Sequence, residues 1–123
     1  DKRVRSVVAI DPAMSDTLSR ESFADIKISV GLVNLGKESE LPATVKTSQM
    51  AKTIDNANYT TIEDANHFSM LAECKPGASQ ALKAMEINEA LCDDAGGRSR
   101  GEIHSQLIDM VTKAFDRSLK TGK

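Results

Sequence analysis

The chain has 123 residues, 40% of them hydrophobic and 28% charged, which suits one modest domain with a single core and is too short for two. Sixteen Lys and Arg against eighteen Asp and Glu give a net charge of −2, and aromatics are only 3% with no Trp. That balance argues against nucleic acid as the main partner, since it offers neither a basic stripe nor a base-stacking platform. The longest apolar runs, such as Val7 to Ile10, are far too short to cross a bilayer.

The opening DKRVRSVVAID carries neither an initiator Met nor the apolar core of a signal peptide, and the expectation is a chain that is part of something longer. Arg5 to Asp11 has four consecutive apolar residues, three of them β-branched, and predicts a buried parallel strand. Pro12 has no N–H to give a ladder, so the strand must stop there and leave Asp11 at its carboxyl end. The polar stretch from Ala13 to Ile26 reads as loop or short helical turns.

Ile26 to Gly36 is the second predicted strand. Pro42 then opens a predicted helix to Ile54, with Val45, Met50 and Ile54 near one face. A turn at 55–58 leads to the third predicted strand, Asn58 to Glu63. Asp64 to Cys74 follows as a turn and a short apolar helix-like run. Gly77 to Leu91 is helix-compatible, and 93–101 reads as a solvated loop around Gly96 and Gly97. Ile103, Leu107, Met110, Val111, Phe115 and Leu119 recur at helical spacing, so Gly101 to Lys120 is a terminal amphipathic helix. Strands alternating with connections imply an α/β fold of about three parallel strands with flanking helices. A sheet this small wants a neighbour on the open edge before Arg5: the missing half, another copy or an exchanged segment.

In open α/β sheets, functional groups gather beyond the carboxyl ends of the strands. Asp11 follows the first strand, Glu38 and Glu40 the second, and His67 the third. A carboxylate preceding a histidine, each on a strand-end loop, is the second half of a Ser…Asp/Glu…His hydrolase order. The chemistry needs both: an imidazole to take the nucleophile's proton, and a carboxylate to fix its tautomer and stabilise the imidazolium. The same residues also fit a plain Asp-Pro turn and a structural histidine.

IKISVGLVNLG with its acidic turn to Pro42, followed by NANYTTIEDANHFSMLAEC, resembles the C-terminal part of an α/β-hydrolase of the dienelactone-hydrolase-like family. The resemblance runs over roughly Arg5 to Leu119 and is most specific in Ala65-Asn66-His67-Phe68. It implies a serine esterase or lactonase working through an acyl-enzyme, with His67 as general base and no cofactor. Many hydrolases of this fold carry the acid in a Gly-x-x-Asp-x-x-x-Pro turn; here Gly36-Lys37-Glu38-Ser39-Glu40-Leu41-Pro42 is one residue shorter, with Ser39 where Asp is expected. The secreted platelet-activating-factor acetylhydrolases carry it one strand earlier, in a segment resembling Ala9-Ile10-Asp11-Pro12-Ala13-Met14. Asp11 is the preferred acid, with Glu40 and then Glu38 as alternatives. Met14 and Phe68 adjoin these residues and are candidates to line an acyl pocket, although Phe68 also suits the core.

No Gly-x-Ser-x-Gly elbow occurs in the sequence, so the nucleophile and its oxyanion hole are expected upstream, and the chain by itself should not catalyse. The alternative is a catalytically silent binding or assembly module. Cys74 and Cys92, which flank the predicted Gly77–Leu91 helix, would as a disulfide imply a periplasmic or secreted protein; as free thiols they would suit the cytoplasm. The spacing of the two cysteines and two histidines fits no zinc pattern. His104 lies in the terminal helix as a surface or partly buried residue. The partner expected beyond the polypeptide is a small ester or lactone.

Overall fold

The computed structural model describes residues 2–120. Three parallel strands, β1 (Ser6–Ile10), β2 (Ser29–Leu35) and β3 (Ala57–Ile62), form one sheet in the order β1-β2-β3. Val7 pairs with Val30 across the first seam and Leu32 with Tyr59 across the second, which brings all carboxyl ends to one side.

Alternation along β2 splits its side chains between two apolar clusters. Val33 and Leu35 join Ile62 and Ala65 beneath Ile103 and Leu107 of the terminal helix α4 (Arg100–Lys120). Val30 and Leu32 pack with Ile54 on the other face, covered by Phe23 of the short helix α1 (Glu21–Ala24) and Met50 of α2 (Ser48–Ala51). Helices therefore lie on both faces, the arrangement a parallel sheet requires. The β1 strand and the long amphipathic helix fall within a residue of the sequence expectation.

Two predicted helices are shorter than their patterns suggested. The run from Pro42 is helical only at Ser48–Ala51, because the buried amide of Asn34 takes up the backbone of 45–47. Its Oδ1 accepts from Thr47 N at 3.0 Å and its Nδ2 donates to Val45 O at 2.7 Å. The Gly77–Leu91 run is helical at α3 (Ala78–Ala84) alone. Glu86 turns left-handed at φ 59°, and Ile87 N closes back on Leu82 O at 3.0 Å, a capping geometry that ends a helix. A disulfide joins Cys74 to Cys92 across this segment, with Cα atoms 5.6 Å apart. Among the described residues no helix is long and apolar enough to cross a membrane.

Candidate active site

Asp11 ends β1 in the left-handed region, at φ 47°, a conformation in which Asp is one of the few tolerated side chains. Its N–H still donates to Val33 O at 2.7 Å, so the backbone remains tied to β2 while the carboxylate swings over the end of the sheet. That carboxylate is buried, with 2% of the side chain exposed. Oδ1 accepts from Asn34 Nδ2 at 2.9 Å and from Leu35 N at 3.1 Å. Oδ2 faces Nδ1 of His67 at 2.7 Å. Because three donors hold both oxygens, the position of the acid is fixed independently of solvent.

His67 opens a 3-10 turn (His67–Met70) directly after β3. Its side chain is 51% exposed, and Phe68 meets the ring edge-to-face with centroids 5.7 Å apart. A carboxylate can only accept, so Nδ1 carries a proton, and in the neutral imidazole Nε2 then keeps its lone pair. This is the arrangement a general base needs. Among the described residues no serine hydroxyl hydrogen-bonds to Nε2.

Of the three carboxylates the sequence left open, Asp11 alone meets His67. Glu40 lies on the surface, where its Oε1 accepts from Lys37 Nζ at 3.3 Å, and Glu38 is exposed. Met14, 62% exposed and left-handed at φ 62°, stands on the loop after Asp11, and Phe68 is half-buried against the imidazole. A cleft of about 300 Å³ beside the pair is walled by Leu35, Leu41, Pro42, Val45 and Ala65, with Asp11 and His67 on its lining. A larger groove lies at the opposite, amino ends of the strands, around Arg5, Ser29 and Ala57, remote from this chemistry.

Several supports of the site went unread in the sequence. Asn34 uses its whole amide: Nδ2 holds Asp11 and Val45 O, while Oδ1 accepts from both Thr47 N and Thr47 Oγ1. A lone amide inside an apolar strand was the available signal. The loop expected to be solvated is in part the opposite. The Asp94 side chain is only 11% exposed and pairs with the buried Arg100 at 3.3 Å, because Ser69 and Arg100 both reach it from packed segments. His104 Nε2 donates to Ser69 O at 2.8 Å. On the Val30–Leu32–Ile54 face of the sheet, Tyr59 has a buried hydroxyl with no hydrogen-bond partner among the described residues. Burial, reinforced by the negative charges of Glu38 and Asp11, pushes that phenol above its ordinary range.

Compared with known proteins, the chain matches no family model, no curated protein and no solved structure.

Proposed function

We propose that this chain supplies the base and the acid of a serine hydrolase acting on carboxylic esters or lactones, in keeping with its resemblance to the dienelactone-hydrolase-like family. The observation that carries the proposal is the 2.7 Å contact between buried Asp11 and half-exposed His67, assembled at the carboxyl edge of a parallel sheet. A histidine needed only for packing has no reason to leave half its ring in solvent while a buried carboxylate fixes its tautomer.

In the proposed cycle, Nε2 of His67 takes the proton of a serine hydroxyl as the oxygen attacks the ester carbonyl. Asp11 stabilises the imidazolium, which then returns the proton to the leaving alkoxide. Water repeats the sequence on the acyl-enzyme and releases the acid. The serine, and the amides that receive the oxyanion, come from polypeptide outside these 123 residues. The supporting feature is the outer side of β1, where Val4 and Val7 are exposed and a further strand can pair. The Cys74–Cys92 disulfide favours an oxidising compartment, the periplasm or the exterior.

A second reading is favoured by the missing elbow: a binding or assembly module that keeps the hydrolase face without its chemistry. A fluorophosphonate probe on the native sample, read by intact mass, separates the two. A labelled companion polypeptide supports the hydrolase. An unlabelled sample holding only this chain sinks it and leaves the module.

A further inference from the structure

The turn that carries His67 is fastened from outside its own strand. Asn66 N donates to Ser69 Oγ at 2.9 Å, and Phe68 N donates to Asn66 Oδ1 at 2.8 Å, so the turn is closed by a reciprocal cap. Ser69 is fully buried, and its hydroxyl donates in turn to Asp94 Oδ1 at 2.5 Å. The Asn66 amide donates to the neighbouring Asp93 O at 2.5 Å. Both acids directly follow Cys92, and Arg100 locks the same short segment by reaching Asp94 and, at 2.8 Å, Leu91 O.

Asp94 therefore touches neither His67 nor Asp11, yet the hydroxyl it holds is the one that closes the turn under the imidazole. We infer that Asp94 is a positioning residue for His67, acting through Ser69 and Asn66, with the Cys74–Cys92 bridge and Arg100 holding Asp94 in place. This role rests on the reading of His67 as a base. Its physical basis is that a base 51% exposed to solvent keeps one orientation only if its backbone is fixed. Loss of Asp94 frees the Ser69 hydroxyl, loosens the cap and lets the ring leave Asp11.

The test is the ring-nitrogen spectrum of the ¹⁵N-labelled 123-residue chain, with the two histidines told apart by a His67→Gln sample. In the unaltered protein His67 is expected as a single tautomer with the proton on Nδ1. In Asp94→Ala it is expected to average between tautomers while the amide peaks of β1–β3 stay in place. Asp94→Asn keeps an oxygen for the Ser69 hydroxyl and is expected to restore most of the single tautomer. Should Asp94→Ala fail to fold, Ser69→Ala removes the same link while leaving the Asp94–Arg100 pair, and the same averaging is expected. A folded Asp94→Ala or Ser69→Ala protein with unchanged His67 nitrogens overturns the proposal, because a merely structural residue lowers melting without moving the tautomer. An unaltered protein that lacks the Nδ1–H tautomer removes the base itself, and that outcome is distinguishable from failure of the positioning role alone.

Discussion

Asn34 holds Asp11 by a 2.9 Å hydrogen bond from Nδ2 to Oδ1, and so leaves the second carboxylate oxygen to His67. One buried amide on the central strand thereby orients the acid and also anchors the chain at Thr47. Replacing it with a leucine of similar size strands Thr47 N and Val45 O without partners and leaves Asp11 Oδ1 with Leu35 N alone. Asn34→Leu is expected to cost about 3 kcal/mol. The urea unfolding midpoint measures it; a loss under about 1 kcal/mol would mean that the freed groups find other partners.

Under the proposed function, the choice among carboxylates has a kinetic consequence. Asp11→Asn preserves shape but lets the imidazole take the wrong tautomer, and acylation by an ester is expected to slow by about 10⁴-fold. Glu40→Gln breaks only a solvent-exposed contact with Lys37 and is expected to leave the rate within about twofold. A reversal of the two effects would move the acid to the loop after β2.

The Asp64–Arg98 pair gives an expectation for how stability depends on pH. Arg98 donates to both carboxylate oxygens of Asp64, through Nε and Nη2, each at 2.5 Å. This pairing holds the Asp64 carboxyl below its ordinary range, and the Ser99 amide and hydroxyl do the same for Glu102 at the start of α4. A carboxyl with a depressed folded-state pKa adds stability that is complete above its unfolded pKa and disappears as the pH falls through the folded value. Unfolding free energy is therefore expected to fall on acidification below the usual carboxylate range. Denaturation series at several pH values on the native protein and on Asp64→Asn check this, and the variant should show the shallower slope.

Adjacent glycines in the same loop are expected to behave differently. A Cβ added at Gly96 would run into the Asp64 side chain, whereas one at Gly97 meets nothing within 4 Å. Gly96→Ala must displace the Asp64–Arg98 pair, at about 2 kcal/mol. Gly97→Ala should stay within about 0.5 kcal/mol of the native protein. Thermal melting of the two variants side by side reads the difference, and equal melting points would place the loop elsewhere.

The strands and the terminal helix were legible because their signals are local: β-branched runs at Val7–Ile10 and Asn58–Ile62, and a 3.6-residue repeat from Ile103. The helices begun at Pro42 and Gly77 overshot because their ends are set by groups that periodicity does not reveal. One is the Asn34 amide, which captures the backbone at Thr47; the other is Glu86, which adopts a left-handed turn. Asp11 and His67 were readable as strand-end residues, and Cys74 with Cys92 as flanks of one segment. Asp94 was not, since two acids before two glycines read as solvent-facing. Its burial depends on Ser69, 25 positions earlier, and on Arg100, which is itself buried.

The Asp11–His67 contact joins the two outer strands of the sheet across the end of a third, and it spans 56 positions of sequence. Neither partner can reach the other through local structure. Both seams, β1 with β2 and β2 with β3, must be in register before the imidazole finds the carboxylate. Closing long loops costs entropy before the contact returns anything, so this pair is expected to form late in chain assembly. A chain in which only one seam has formed is therefore expected to lack the contact, so that its appearance would report a completed sheet.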